Sequence, residues 1–154
     1  MQVAVERVIR PYRTEDSGAC LAVFDRNVPT FFSASERPDF VRFLLRHAAQ
    51  WHYCVVERCG EVVGCAGHLI GPDGRTASLG WGMVDPALHG QGLGTKLLLA
   101  RLDAVRLTPG VERIVLDTSQ HTQGFYARFG FEVTAVTPDG YGAGLDRWDM
   151  ALEL

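Results

Sequence analysis

One stretch constrains this chain more than any other. A β-rich run over 76–84 meets Asp85-Pro86, and Gly90, Gly92 and Gly94 then lead into the strongest helical pattern of the sequence, over 92–107. Proline cannot donate to a strand ladder, so Pro86 ends the run. Leu93, Leu97, Ala100, Ala104 and Leu107 form one apolar stripe of the helix and Leu98, Leu102 and Val105 a second, so a wide face is buried. A strand, a tight turn and a helix apolar over so wide a face are consistent with a layered α/β arrangement. The alternate glycines remove Cβ atoms, which lets the backbone bend sharply and approach a ligand closely. Free N–H groups at a helix N-terminus, with the helix dipole behind them, bind anions and above all phosphates. Taken alone, the turn is equally well a tight β–α connection. A Walker-type loop would need Gly-Lys-Ser/Thr and a dinucleotide fingerprint Gly-x-Gly-x-x-Gly, and neither spacing is present.

The remaining patterns supply the other layers. Strands are expected over 3–10, 51–58, 61–69, 111–117, 131–136 and 145–154, and helices over 14–27, 35–50 and 120–129. Thr14 is placed to cap the first helix, with Cys20 or Leu21, Phe24 and Val28 on its apolar side. Val41, Leu44, Leu45 and Ala48 mark the inner face of the second, and Gly130 ends the fourth. The order is β-α-α-β-β-β-α-β-α-β-β, without repeats or linkers, so residues 1–154 are expected to form one domain.

Composition narrows the class of function. The 154 residues are 47% apolar and 21% charged, with 15 Lys plus Arg against 18 Asp plus Glu, a net charge of −3. That balance offers no broad attraction to nucleic acid or to an anionic membrane. No apolar run reaches the roughly 20 residues that span a bilayer, and the first residues lack the apolar stretch of a signal peptide. A cytoplasmic location is expected, with no nucleic-acid or membrane partner.

Four cysteines and two histidines test a metal reading. Cys59-Gly60 between two β-rich runs is a two-residue hairpin loop. Pairing Arg58 with Glu61 sets Cys54 opposite Cys65, at a wide hydrogen-bonded pair, so reduced thiols are expected. His52, Cys54, Cys59, Cys65 and His68 follow no zinc-finger spacing, and alternation sends Cys65 and His68 to opposite faces. No metal is expected.

Two motifs carry a family resemblance. His89-Gly90-Gln91-Gly92-Leu93-Gly94, after Val84-Asp85-Pro86, resembles the Arg/Gln-x-x-Gly-x-Gly/Ala acyl-CoA loop of the GNAT superfamily of N-acetyltransferases. About thirty residues on, Gly124-Phe125-Tyr126-Ala127-Arg128-Phe129-Gly130-Phe131 is similar to that family's Phe-Tyr-x-x-x-Gly-Phe. The resemblance implies a GNAT-like α/β fold: a mixed, mostly antiparallel sheet of six to seven strands with about four helices, splayed at its two central strands. It implies acetyl-CoA as co-substrate, with Gly82, Met83 and Val84 bonding the pantetheine arm. Gly90, Gln91, Gly92, Leu93, Gly94 and Thr95 would hold the pyrophosphate. An N–H at the splay would polarise the thioester carbonyl. His89 departs from the usual Arg/Gln, and the asparagine that often precedes the Phe-Tyr helix is missing.

Direct transfer needs a neutral amine nucleophile and a proton for the departing thiolate. Tyr126, at the family's tyrosine position, is the candidate acid. Ser78 stands where many relatives carry a strand glutamate, which leaves Asp117, His68 and Glu36 as carriers of base chemistry. Asp117, at a strand's C-terminal end, is the preferred one, with helix capping as its alternative role. Glu36 also fits a capping box with Ser33, and His68 also fits a packed position beside Ala66 and Gly64. Phe31, Phe32 and Tyr141 suggest an aromatic mouth for the acceptor. The expected activity is acetyl transfer to a primary amine of a small molecule or peptide, by a monomer or homodimer. The alternative is a catalytically inactive acyl-CoA-binding or sensing module.

Overall fold

The computed structural model describes residues 6–154. Along the chain run β1 (Arg7–Pro11), α1 (Ser17–Arg26), α2 (Arg37–Arg46), β2 (Cys54–Arg58), β3 (Glu61–Ile70) and β4 (Thr76–Val84). Then follow α3 (Leu93–Arg106), β5 (Arg113–Thr118), α4 (Gln123–Ala127), β6 (Glu132–Gly142) and β7 (Leu145–Glu153). The order is the expected one; the portion of the first strand assigned to residues 3–5 lies outside the described residues. The seven strands form one sheet in the order β1-β2-β3-β4-β5-β7-β6. Every pair is antiparallel except β4 with β5, which α3 connects as a crossover. That parallel pairing runs only from Thr76↔Arg113 to Ser78↔Val115, after which the strands part. The splay between them is the opening around which everything else is arranged.

Two helical layers cover the sheet. Phe24, Phe40, Phe43 and Leu44 of α1 and α2 pack on Tyr53, Val55, Cys65 and Met83 on one face. Leu98, Leu102 and Val105 of α3 pack on the other over Ala77, Leu79, Ile114 and Leu116, with Phe125 and Tyr126 of α4 at their side. Leu93 and Leu97 extend that second layer over Val56, Ala66 and Val84.

Several local expectations shift. The entry to α1 is organised by Asp16 rather than by Thr14. A short 3-10 turn spans Thr14–Asp16, where the Asp16 carboxylate accepts the Arg13 N–H at 2.8 Å and both terminal nitrogens of Arg10 at 2.8 Å. The Arg10 guanidinium holds the Asp16 carboxyl below the usual carboxylate range. The Ser33–Glu36 capping box forms as expected, ahead of α2. The buried stripe of α2, however, is Phe40, Phe43 and Leu44, continued by Ala48 beyond its end, while Leu45 is 75% exposed. Two phenyl rings bury more apolar area than Val41 and Leu45 would, so they set the helix rotation. In α3 both stripes are inward except at Leu107, which is 83% exposed because the helix ends one residue earlier.

The β2–β3 hairpin turns at Cys59-Gly60 with Arg58 opposite Glu61, but a register shift at Val56/Glu57 moves the rest by one residue. Cys54 therefore faces Ala66 and Cys65 faces Val55. An irregularity absorbs a residue and flips side-chain alternation, so Cys54 lies on the α3 side and Cys65 on the α1/α2 side. All four cysteines are free thiols.

Candidate active site

The splay opens into a cleft of about 1270 Å³ that reaches both faces of the sheet. On the α3/α4 side it is lined by the end of β4, the glycine turn and α4; on the α1/α2 side by Phe31, Phe32, Glu36, Asp117 and Tyr141. Of the residues assigned to cofactor binding, Gly82, Met83, Val84, Gly90, Gly92, Leu93, Gly94 and Thr95 line it and Gln91 does not. Tyr126 and Asp117 both do.

The glycine turn is held from three sides. Asp85 caps the 3-10 turn Pro86–Leu88 by accepting the Ala87 N–H at 3.0 Å, and pairs with Arg26 at 3.0 Å. Gly90 and Gly92 then adopt φ +83 and +81, the left-handed region where a Cβ is strained. Gly92 is the N-cap of α3, so the first-turn N–H groups behind it have no intrahelical acceptor. Arg7 of β1 donates to the Gln91 carbonyl at 2.6 Å, tying the loop to the far edge of the sheet. These features give the turn an open, positively polarised rim that fits a pyrophosphate. The buried Asn27 amide donates to the Val84 carbonyl at 3.1 Å and the Val23 carbonyl at 2.8 Å, fixing the end of β4 against α1.

At the splay, β4 breaks regularity. Opposite Cys65–Gly67 the register slips, and Trp81 takes φ +49. A bulky residue there is a backbone outlier whose cost is about 1–3 kcal/mol. Aromatic packing holds it: Trp81 sits 4.9 Å from Phe40 and stacks on Phe32 at 6.0 Å, ring centre to ring centre. The Tyr53 hydroxyl donates to the Trp81 carbonyl at 2.8 Å. Across that planar trans peptide the Gly82 N–H points the opposite way, away from Tyr53. A Cβ built on Gly82 would lie 3.5 Å from the Tyr126 hydroxyl and 3.2 and 3.3 Å from the two terminal nitrogens of Arg101. The glycine thus leaves a small space framed by a phenol and a guanidinium.

The opposite face gathers charge from distant segments. The Tyr141 hydroxyl donates to the Asp117 carboxylate, and Arg147 approaches the same carboxylate at 3.8 Å. Burial first, and then the Asp117 charge, push the Tyr141 phenol well above its ordinary range. Burial likewise holds the Glu36 carboxyl above the usual carboxylate range; the Ser33 N–H opposes this, and the Asp117 charge adds to it. Phe31 spans the mouth, edge-on to His89 at 5.1 Å and to His121 at 6.3 Å. Phe32 both packs on the Phe24–Trp81 core and lines the cleft.

His68 is not in this cleft. It stacks on His52 at 4.8 Å in a separate groove between β3 and α3, where burial lowers its pKa. Among the described residues, no three His, Cys, Asp or Glu side chains converge as a metal site requires. Sequence reasoning missed Arg7, Asn27, Tyr53 and Arg101. Only Arg101 carried a signal: it falls in register with Leu97, Leu98, Leu102 and Val105 on the buried face of α3.

A sheet that opens after three parallel residue pairs, with a glycine-capped helix at the opening, is the arrangement that the resemblance to acyl-CoA-dependent transferases implies. Residues 20–131 match the model of the Acetyltransferase (GNAT) family, and the chain belongs to that family. No curated protein matches it significantly. Among solved structures, a GNAT-family protein from Desulfovibrio desulfuricans is 28% identical, with 96% of this chain and 99% of that one aligned at a TM-score of 0.79. The ribosomal-protein-S18-alanine N-acetyltransferase of Escherichia coli is 21% identical over 96% and 94% of the two chains, with a TM-score of 0.78. The yncA protein of Salmonella typhimurium, solved with its cofactor acetyl-CoA, is 23% identical over 97% and 94%, with a TM-score of 0.73. No helix among the described residues is long and apolar enough to cross a membrane.

Proposed function

We propose that this chain transfers an acetyl group from acetyl-CoA to a primary amine of a small molecule or peptide, by direct attack in a ternary complex. The observation that carries the reading is the two-sided splay: a phosphate-compatible turn opens on one face and an acidic, aromatic mouth on the other. In this reading the N–H groups of Gly90 to Thr95 hold the pyrophosphate, and the backbone of Gly82, Met83 and Val84 pairs with the pantetheine arm. The thioester then lies between β4 and β5, with its carbonyl oxygen facing the Gly82 N–H, which stabilises the developing oxyanion.

The acceptor enters from the α1/α2 face, between Phe31, Phe32 and Tyr141. Glu36 and Asp117 give that entrance a negative character suited to an ammonium. Asp117 takes the proton from the attacking nitrogen, and Tyr126 protonates the departing thiolate. A second reading, an acyl-CoA-binding module without turnover, is favoured by one feature. Ser78, the last residue paired across the splay, puts a hydroxyl where a carboxylate base would be nearest the slot. A thiol-release assay over a panel of small amines and peptide N-termini separates the two. Amine-dependent release of CoA supports transfer; tight acetyl-CoA binding with no release on any amine supports the binding module.

A further inference from the structure

Arg101 is the one charged residue that α3 buries. It is 4% exposed, yet it forms no ion pair among the described residues, and residues 1–5 contain no carboxylate. Its Nε donates to the Leu97 carbonyl at 3.3 Å, one turn back on the same helix. Burying a guanidinium without a counter-ion is costly. A leucine or methionine would continue the apolar stripe without that cost.

The charge is aimed at the cleft. Both terminal nitrogens of Arg101 lie within 3.3 Å of the point that a Cβ on Gly82 would occupy, and the Tyr126 hydroxyl lies within 3.5 Å of it. The titratable groups around the guanidinium are Tyr126 from α4, Cys54 from β2 and His68 from β3. Burial raises the Cys54 thiol and lowers the His68 imidazole, so neither neutralises the cation nor adds to it near neutral pH. The site therefore presents one positive charge and one phenol to whatever lies beside Gly82.

We propose that Arg101 and Tyr126 together receive the sulfur atom released by acyl transfer. The inference rests on the acyl-CoA reading above, in which the pantetheine arm runs along Val84 and Met83 to Gly82. The amine nitrogen forms its bond to the carbonyl carbon, and the carbon–sulfur bond breaks with its electron pair on sulfur. The Arg101 guanidinium balances that negative charge. Tyr126 gives its proton to the thiolate and recovers one from solvent, while the proton lost by the amine leaves through Asp117 or water. A cation beside a thiol favours the thiolate, so the bond breaks to a stabilised leaving group and the phenol need not lead.

The test is a titration of CoA bound to the protein, followed by thiolate absorbance. The bound thiol is expected to ionise at a pH about one unit or more below that of free CoA. Arg101→Gln is expected to abolish that drop and lower kcat roughly 100-fold, with KM for acetyl-CoA within about 3-fold. Arg101→Lys is expected to keep most of the drop. Bound CoA that titrates like free CoA, or a drop that survives in Arg101→Gln, overturns the proposal. Should Arg101→Gln not fold, the wild type still decides: CoA must gain affinity over desulfo-CoA as the bound thiol ionises, and equal affinities at every pH overturn it. Failure of the wild type to bind CoA at all is a different result, and overturns the acyl-CoA reading itself.

Discussion

The two faces of the splay are built on opposite principles. In the proposed reading, the groups that meet acetyl-CoA on the α3/α4 face are largely backbone: the first-turn N–H groups of α3, the edge of β4 beyond Ser78, and the N–H of Gly82. On the α1/α2 face the lining groups are side chains brought from far apart, with Glu36 before α2, Asp117 on β5, and Tyr141 and Arg147 on β6 and β7. A backbone site requires glycine at fixed spacing and tolerates little change. A side-chain site can be rebuilt one residue at a time while the sheet behind it stays the same. The first face suits a constant co-substrate and the second a variable acceptor.

Substitutions that break one face and spare the other test this division, and the largest effect is expected at the turn. Gly92→Glu places a carboxylate and a strained φ at the N-cap of α3, and is expected to weaken acetyl-CoA binding by at least about 1000-fold with the circular dichroism unchanged. Binding like that of the wild type would end the assignment of the loop. Tyr126→Phe is expected to lower kcat about 100-fold with acetyl-CoA affinity nearly intact; unaltered turnover would remove Tyr126 from the chemistry. Asp117→Asn is expected to lower kcat about 10-fold and leave acetyl-CoA affinity alone. An undiminished rate would leave amine activation to water.

The smallest effect is expected at Glu36. Its carboxyl is held above the usual range in the folded chain, so the folded state binds that proton more tightly than the unfolded one. Its stabilising contribution is present at low pH and lost as pH rises from the ordinary carboxylate range through the folded value. Glu36→Gln keeps an acceptor for the Ser33 N–H and removes the ionisation. Its stability relative to the wild type should therefore rise as pH increases from the ordinary carboxylate range through the folded value, by the smallest margin of these predictions. Chemical denaturation at several pH values reads this directly, and a relative stability that falls over that range would contradict the assigned shift.

The same contrast explains what the sequence made legible. Gly90, Gly92 and Gly94 before a strongly patterned helix point to the turn because the requirement is local: a left-handed backbone and missing Cβ atoms leave glycines in the sequence. Element order was legible for the same reason, since period and punctuation are local. Helix rotation was less so. Leu45 and Leu107 fit their periodic stripes yet face solvent, because ring packing by Phe40 and Phe43 and the end of α3 decide those positions. The Cys54–Cys65 pairing failed because one irregular residue in β2–β3 inverts alternation. The acceptor mouth was hardest to read. Glu36 and Asp117 were visible as carboxylates, but their shared environment with Tyr141 and Arg147 depends on the return of β6 and β7 beside β5, which no local pattern encodes.

The most direct test of the two-faced account is a backbone amide NMR titration of the protein with acetyl-CoA. The account predicts large shift changes at Gly82, Met83, Val84 and from Gly90 to Thr95, with Phe31, Glu36 and Tyr141 nearly unmoved until an amine analogue is added. Changes centred on Phe31, Glu36 and Tyr141, with the glycine turn silent, would contradict it.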